Sequence, residues 1–334
     1  MNKASCATVT VSITTFNRNA DLSRCLDALT KQTDTDFSVV IVNGGDESGV
    51  RATAAKFPAL HPKIVTQKRT GIVEARNLCW QEASTDIVCI IDDDLVVSPG
   101  WLTEVRQTFA ADESIGGVSG PSLIPDDRQT NRDFAFYIEQ FRSSKNPFFR
   151  ILGLIYFNII LENKITDIGR ILKSGAFSPG SNFKSCLVLP APVEVDYLEA
   201  CNMSYRRDLF VRLGGFDYLY EGTGEWNEPD FCFRLKNAGY TLVFNPRAVA
   251  WHCISQEGVY SARTNSYERI RNFIFFYMRW IKPNTLEKFF RFSANIIFID
   301  LYWIFKFFQS RNPDWLRGLS GTVTGFIDAR RICK

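Results

Sequence analysis

The chain has 334 residues, of which 46% are hydrophobic and 22% are charged. This composition supports a large buried core and excludes a globally disordered protein. The net charge is only +3, but residues 263–334 contain 13 Lys/Arg against 5 Asp/Glu, so a basic tail follows a mildly acidic body. Such a tail predicts an anionic neighbour, either a membrane surface or a nucleic acid.

The nine cysteines are scattered singly, without a CxxC pair, and most of them lie within apolar runs. This pattern favours buried free thiols in a reducing compartment. The first residues, MNKAS, lead directly into a strand-like segment and lack the apolar stretch of a secretory signal. We therefore expect a cytoplasmic protein.

The first hundred residues alternate between two hydrophobic periods. Strands are predicted at ATVTVSI, FSVVIVN, KIVTQ and DIVCII, and helices at DLSRCLDALT and GIVEARNLCWQEAS. This alternation predicts parallel βαβ units, and the nearly continuous apolar strands indicate a sheet that is covered on both faces. The expected fold class is therefore α/β, with a mostly parallel, Rossmann-like sheet flanked by helices.

Polar residues follow three of these strands, as TTFNR, NGGDES and DDD. Each stretch alone could be ordinary turn chemistry. Ligands of open parallel sheets bind outside the carboxyl ends of the strands, where all three stretches would meet. The sequence therefore predicts a ligand pocket at this edge of the sheet.

The remaining chain is less regular. We interpret residues of about 125–190 as an insertion within a catalytic domain that spans 1–262, and residues 263–334 as a helical, aromatic and basic appendage. Its most apolar stretch, 289–308, is interrupted by Arg291, Asp300 and Lys306. An Asp at the centre of a spanning helix would cost roughly 2.5–3.5 kcal/mol. We therefore expect a helix that lies on an anionic membrane surface, the alternative being a helix packed on the catalytic core.

Three neighbouring carboxylates, Asp92, Asp93 and Asp94, end the fourth predicted strand. They repel one another unless water or a cation neutralises them. Mg²⁺ and Mn²⁺ prefer oxygen ligands and commonly share their shell with phosphates. The pattern indicates a metal–diphosphate clamp, the alternative being a turn of solvated carboxylates.

A series of short motifs then follows in a fixed order. In chain order they are Thr15-Phe16-Asn17-Arg18, Asn43-Gly44-Gly45-Asp46, Gly71 with Ala75-Arg76-Asn77, Asp92-Asp93-Asp94, Gly214-Gly215-Phe216-Asp217, Asn227-Glu228-Pro229-Asp230 with Phe231-Cys232-Phe233-Arg234, Ala238-Gly239-Tyr240, and Trp251-His252. Over about residues 8–255 the chain resembles a family-two glycosyltransferase of the GT-A fold. It departs from that pattern at Asn43, where the family usually has an acid, and at Asn227-Glu228, where it usually has an ED pair.

The resemblance implies an inverting, Mg²⁺- or Mn²⁺-dependent transfer of a sugar, as in rhamnosyl- or mannosyltransferases. The donor would be a nucleotide-diphosphate sugar, and the acceptor a hydroxyl of a glycan or lipid-linked glycan. Implied metal ligands are Asp94, Asp92 and His252. Implied donor contacts are Thr15, Asn17, Arg18, Asn43, Arg76, Asn77, Asp92 and Asp93.

Glu228 is the implied general base, and Asp230 is a second candidate in the same motif. On the acceptor side the resemblance places Glu199 and Asn202, and we expect Arg206 and Arg207 to meet phosphate. The protein would then act at the inner face of the cell membrane, as a peripheral protein.

Two other functions remain as alternatives, one enzymatic and one non-catalytic. A nucleotidyltransferase acting on sugar phosphates would need a basic, glycine-rich triphosphate loop after the first strand, which TTFNRN lacks. A non-catalytic glycan- or nucleotide-binding scaffold would be favoured if Asp94 or Glu228 were missing. We do not expect a nucleic-acid partner, because the aromatic residues of the tail form an apolar segment instead of alternating singly with basic ones.

Overall fold

A computed structural model describes residues 7–125, 143–220, 222–255 and 265–332. The chain divides into two compact units. The first comprises residues 1–125, 181–219 and 227–261, and the second comprises 126–180, 220–226 and 262–334, each as far as it is described. The second unit thus joins the C-terminal segment to residues that the sequence analysis treated as an insertion. The predicted domain boundaries, 1–262 and 263–334, stay predictions.

The described strands are short and strongly apolar. They are β1 (Val9–Thr15), β2 (Ser38–Asn43), β3 (Lys63–Thr66), β4 (Ile87–Asp92), β5 (Leu95–Val97), β6 (Ile115–Ser119), β7 (Ser122–Leu123), β8 (Ile168–Ile171), β9 (Phe177–Pro179), β10 (Val193–Glu194), β11 (Asn202–Arg206), β12 (Thr241–Phe244) and β13 (Ala250–His252).

The described helices have amphipathic or buried faces. They are α1 (Asn19–Thr30), α2 (Glu47–Ala54), α3 (Ile72–Gln81), α4 (Trp101–Ala111), α5 (Pro147–Leu154), α6 (Arg207–Leu213), α7 (Asn227–Asn237), α8 (Ser266–Phe276), α9 (Leu286–Ser310) and α10 (Arg317–Ile332). One-turn 3₁₀ or π segments occur at Pro58–Leu60, Ile155–Ile160, Gly180–Asn182, Lys184–Val188, Tyr277–Ile281 and Pro313–Leu316.

An eight-stranded sheet in the order β10-β12-β6-β11-β4-β1-β2-β3 forms the centre of the first unit. Strands β1 to β4 pair in parallel, whereas β11 runs antiparallel between β4 and β6. Val11 and Ile13 of β1 face the apolar side chains of α1 and α4, while Ser12 on the opposite face donates to the Cys79 carbonyl of α3. Both faces of the sheet are therefore covered, as predicted.

The register of the sheet brings the carboxyl ends of three parallel strands together. Thr14 pairs with Asp92, and Thr15 pairs with Asn43. Because β11 is antiparallel, its first residue, Asn202, lies at the same edge and pairs with Ile91. The predicted polar edge of the sheet is thus formed by β1, β2 and β4, with the start of β11 beside them.

A second, three-stranded sheet in the order β5-β13-β7 adds His252 to this edge. Strand β13 is antiparallel to β5, and His252 pairs with Leu95, the residue after Asp94. The Cys253 amide continues the pairing by donating to the Asp94 carbonyl at 2.9 Å.

In the second unit, α8 and α10 pack closely because glycines face the contact. A Cβ at Gly321 would lie 2.4 Å from the Tyr267 carbonyl oxygen, and one at Gly325 would lie 2.9 Å from the Ile274 Cβ. On α9, the Phe292 ring stacks on Tyr277 with 3.7 Å between ring centroids. In the described part of the chain, no helix is long and apolar enough to cross a membrane.

The cysteines that the structure describes form no disulfide, and six of these seven are buried. This confirms the prediction of free thiols for those positions, whereas Cys6 and Cys333 lie outside the described residues. Burial raises the pKa of the Cys89 thiol to about 12, so it stays protonated and behaves as a small apolar side chain.

Candidate active site

The three aspartates after β4 point to different partners. Asp92 accepts a hydrogen bond from the Thr14 hydroxyl at 3.2 Å. Asp93 accepts one from the Thr15 hydroxyl at 2.6 Å and binds Arg18, whose Nε lies 3.1 Å from Oδ2. Arg18 also donates to Asp94 Oδ2 at 3.1 Å. One arginine from the loop after β1 therefore pairs with two adjacent carboxylates.

Asp93 is fully buried, and Arg18 reaches both of its carboxylate oxygens. Its described contacts are all with residues 15 and 18 of the first motif. Its predicted role in donor binding stays a prediction, and the geometry gives it a different one, which is to fix Arg18 at the edge of the site.

Asp94 is the aspartate whose geometry suits a metal ion. Its Oδ1 is buried, faces His252 Nε2 at 3.4 Å, and accepts no hydrogen bond within the described residues. Burial would raise the pKa of Asp94, but the imidazole and the Arg18 charge lower it below its usual range. Burial would lower the pKa of His252, but the neighbouring Cys201 and Asp94 raise it. With the imidazole deprotonated, the unsatisfied oxygen of Asp94 and the Nε2 of His252 form a donor set that fits a divalent cation.

The donor set is small. No group of three or more His, Cys, Asp or Glu with the geometry of a metal site occurs in residues 7–125, 143–220, 222–255 and 265–332. Asp92, the third predicted ligand, accepts a hydrogen bond from Thr14, and its role as a metal ligand stays a prediction. Mg²⁺ is commonly held by one or two carboxylates together with water and substrate phosphates, so two protein ligands are compatible with such a site.

A short segment after β13 is hydrogen-bonded to Asp94. The Ser255 amide donates to Asp94 Oδ2 at 3.1 Å, and the Ser255 hydroxyl donates to Asp21 of α1 at 2.6 Å. Sequence reasoning missed both residues, because 234 positions separate Asp21 from Ser255 and no local pattern links them.

The turn after β2 is held by its own amides. Asn43 is fully buried, with Oδ1 accepting from the Gly45 amide at 2.9 Å and Nδ2 donating to the Gly45 carbonyl. Asn17 has a φ of +54° and accepts from the Asp46 amide at 2.7 Å. A Cβ at Gly45 would lie 2.1 Å from Asn17 Oδ1, so this approach requires glycine. The predicted donor contacts of Asn17 and Asn43 remain predictions.

Asn77 on α3 builds the turn that contains Gly214-Gly215-Phe216-Asp217. Its Nδ2 donates to the Phe216 carbonyl at 3.0 Å, and its Oδ1 accepts from the Phe216 amide at 2.8 Å. The Trp80 indole donates to the same Oδ1 at 2.9 Å. Asn77, which was predicted to contact the donor, thus forms hydrogen bonds with the backbone of a distant turn, and its predicted donor contact stays a prediction.

The acids of the other motif lie on the first turn of α7 and are both buried. Glu228 Oε1 forms an ion pair with Arg76 Nη1 of α3. Asp230 binds Arg234 one turn along the helix at 2.9 Å. Arg234 in turn donates to the carbonyl oxygens of Leu213 and Gly215, both at 2.6 Å. Asp230 therefore orients an arginine that closes the glycine turn, and its predicted catalytic role stays a prediction.

On the acceptor side, Glu199 and Asn202 meet different environments. Glu199 is half-buried and accepts a hydrogen bond from the Ser181 hydroxyl, and burial raises its pKa. Asn202 is fully buried, and its Oδ1 accepts from the Trp101 indole at 3.1 Å, so it packs within the fold. The predicted acceptor-side roles of both residues stay predictions.

The prediction that Arg206 meets phosphate was wrong. Arg206 pairs with Ile87 at the amino end of β4, the opposite edge from Asp92. Its guanidinium donates to the carbonyl oxygens of Ile115 and Phe109, at 2.8 and 3.0 Å. Arg207, at the start of α6, likewise donates to the Trp80 carbonyl.

Residues 10–166 match the family model described as glycosyl transferase family 2. These residues, a little under half of the chain, are similar to glycosyltransferase family 2. An uncharacterized glycosyltransferase of Bacillus subtilis, YwdF, is 33% identical over 100 residues, which are 30% of this chain and 37% of YwdF. A chondroitin synthase of Escherichia coli is 25% identical over 254 residues, which are 73% of this chain and 34% of the synthase. The chain thus spans little more than a third of the length of these two curated relatives.

A solved structure shares the fold of this chain. The mannosyltransferase PcManGT from Pyrobaculum calidifontis, in complex with GDP-Man and Mn²⁺, superposes with a TM-score of 0.54 at 16% identity. The match covers 97% of this chain and 87% of that one. The predicted GT-A fold, with its mostly parallel sheet and helical C-terminal region, is confirmed.

Proposed function

We propose that this protein transfers a sugar from a nucleotide-diphosphate sugar to a hydroxyl group, with a divalent metal and with inversion at the anomeric carbon. The observation that carries the proposal is the convergence of two acidic motifs near Arg76. Arg76 pairs with Glu228, and its charge also acts on Asp92, where it opposes the rise in pKa that burial causes. The proposed metal-binding edge and the candidate base are therefore both within the influence of one arginine.

Asp94 and His252 would hold the metal ion, which supplies charge neutralisation for the two phosphates and for the leaving diphosphate. The buried Oδ1 of Asp94, which accepts no hydrogen bond in the described part of the chain, supports this role. The related fold that was solved with GDP-Man and Mn²⁺ supports the choice of donor and ion. Arg18, fixed by Asp93, adds a positive charge at the same edge.

Glu228 would accept the proton of the acceptor hydroxyl while that oxygen attacks the anomeric carbon. One base opposite one leaving group gives inversion. The position of Glu228 on the first turn of α7 supports this role, because the helix N-terminus and Arg76 both favour the ionised carboxylate.

A panel of nucleotide-sugars tests the proposal. The purified chain is incubated with each donor and either Mg²⁺ or Mn²⁺, and release of the nucleoside diphosphate is followed with and without EDTA. We expect turnover of at least one donor that EDTA abolishes and added metal restores. Turnover that is indifferent to EDTA would contradict the metal, and no release from any donor would contradict the transferase.

We also propose that the second unit docks on an anionic membrane surface, which makes a lipid-linked glycan the expected acceptor. One face of α9 carries large apolar side chains that are between 52% and 89% exposed. They are Leu286, Phe290, Ile297, Leu301, Phe305 and Phe308. A contiguous exposed apolar face of this size marks a protein or membrane contact.

The charges around this face favour a membrane. The polar residues that interrupt the apolar stretch are used inside the unit, where Asp300 accepts from Thr322 of α10 and Arg291 donates to the Ile159 carbonyl. Exposed basic residues lie at the helix ends. They are Lys282 and Arg311 around α9, and Arg317, Arg330 and Arg331 on α10. Apolar faces with basic ends are typical of helices that lie in the plane of an anionic interface.

Vesicle co-sedimentation tests this docking. Changing Phe290, Leu301 and Phe305 together to Ser removes on the order of 1 kcal/mol of partitioning each, so binding to phosphatidylglycerol vesicles should fall roughly 10²-fold. The matched control changes Val188 and Val211, exposed residues of the first unit, to Ser and should bind normally. Equal binding of the two variants to phosphatidylglycerol vesicles would contradict the proposal. Equal binding of the wild-type chain to vesicles of neutral lipid alone would contradict it as well.

A further inference from the structure

The candidate base is one half of a buried ion pair. Arg76 Nη1 donates to Glu228 Oε1, and the two side chains are only 6% and 7% exposed. The two residues are 152 positions apart, on α3 and α7. The resemblance had placed Arg76 on the donor, which would need its guanidinium to face the nucleotide instead of the carboxylate.

We propose that Arg76 is a positioning residue for Glu228: it holds the carboxylate in one orientation and keeps it ionised. The inference rests on the proposed function, because it assigns Arg76 a part in the same transfer. It differs from the expectation of a donor contact, since Arg76 would then act on the proton acceptor and not on nucleotide affinity.

The turn at Gly215 and Phe216 holds α3 and α7 in a fixed relative position. Asn77, the neighbour of Arg76, binds both backbone groups of Phe216. From the other side, Arg234 of α7 binds the Gly215 carbonyl at 2.6 Å. A Cβ at Gly215 would lie 2.6 Å from Asn77 Oδ1, so glycine is needed for this approach. Both helices are thus fastened to one turn, which fixes Arg76 opposite Glu228.

The chemistry of the pair explains why an arginine is useful there. Burial alone favours the protonated, neutral form of a carboxylic acid, which cannot accept the proton of an acceptor hydroxyl. Tyr205 of β11 and Cys232 of α7 also face Glu228, and burial raises the pKa of both, so they are neutral at pH 7. The Arg76 guanidinium supplies the positive charge that keeps the carboxylate ionised.

A double-mutant cycle tests the inference, with Arg76→Gln, Glu228→Gln and the double variant, each checked for folding by circular dichroism. Arg76→Gln should lower kcat by about 10–100-fold, as is common when a supporting partner is lost, with donor Kd unchanged by calorimetry. In the Glu228→Gln background the same change should alter kcat less than about twofold, because the carboxylate it acts through is gone. Arg76→Lys, which keeps the charge, should restore part of kcat.

The pH profile gives a second readout. The acid limb of kcat/KM should move to higher pH in Arg76→Gln, because the pKa of Glu228 rises when the guanidinium is removed, and it should move back in Arg76→Lys. A rise in donor Kd on changing Arg76 in both backgrounds, or losses of kcat that simply add, would overturn the inference while leaving the transferase standing. Absence of turnover in the wild-type chain with every donor would instead overturn the proposed function.

Discussion

The acidic stretches Asp92–Asp94 and Glu228–Asp230 share a composition but differ in how their members are bound. In each stretch one acid is fully buried and holds an arginine: Asp93 binds Arg18, which is 75 positions away, and Asp230 binds Arg234 one turn along the same helix. The other acids meet groups from distant parts of the chain, with His252 beside Asp94 and Arg76 on Glu228. The comparison teaches that neighbouring acids in one motif can have different roles. Some hold an arginine in place within the fold, others are candidates for catalysis or metal binding, and the partner of each acid distinguishes the two roles.

The largest expected effect comes from Glu228→Gln, which tests whether Glu228 is the general base and Asp230 only a structural anchor. The amide keeps the shape and loses the basic carboxylate, so kcat should fall by about 10²–10⁴ while donor affinity holds. Steady-state kinetics together with calorimetry of the donor measure both quantities.

Asp230→Asn is the matched control for that experiment, since it lies on the same helix turn. If kcat collapsed in Asp230→Asn and stayed near normal in Glu228→Gln, the assignment of anchor and base would have to be exchanged. Normal rates in both variants would move the base to another part of the site.

The second effect concerns the stability of the anchor. Asp230→Ala removes the fully buried carboxylate that binds Arg234, whose side chain is 16% exposed, and breaking a largely buried pair in this way costs about 3–5 kcal/mol of unfolding free energy. Urea unfolding, followed by fluorescence, gives the value. A loss below about 1 kcal/mol would mean that Asp230 is not an anchor, and Asp208→Ala, at an exposed ion pair with Arg212, serves as the control.

The smallest effect tests whether Asp93 is anchored as Asp230 is. Thr15→Val removes the hydroxyl that donates to Asp93 at 2.6 Å and keeps the side-chain volume. Leaving a buried acceptor without its donor costs about 1–3 kcal/mol, so the unfolding free energy should fall by that amount. If donor Kd rose and stability did not change, Thr15 would instead bind the donor, as the resemblance implied.

The fold was predictable because its signals are local. The apolar runs of β1, β2 and β4 and the helical spacing of α1 and α3 follow from residues a few positions apart. The antiparallel insertion of β11 between β4 and β6 was not predictable, because side-chain alternation says which faces are buried and not which strand is the neighbour. For the same reason, sequence reasoning placed Arg206 at the wrong edge.

The site was predictable in its location more than in its roles. The strand-end rule located Asp94 and its neighbours, and the Asp230–Arg234 pair could have been read from its i, i+4 spacing. Nothing local indicates that Arg76 meets Glu228, or that Asp93 faces Arg18 while Asp94 faces His252. These choices depend on how distant elements pack against each other.

Calorimetry of a nucleoside diphosphate, with and without Mn²⁺, tests the central claim that Asp94 and His252 hold a metal ion for the donor. GDP and UDP are titrated into the wild-type chain and into Asp94→Ala, with Asp208→Ala, a change at an exposed ion pair with Arg212, as the matched control. We expect at least one of the two nucleotides to bind the wild-type chain and Asp208→Ala more tightly with Mn²⁺, and Asp94→Ala to lose that dependence. Undiminished Mn²⁺-dependent binding by Asp94→Ala would contradict the account.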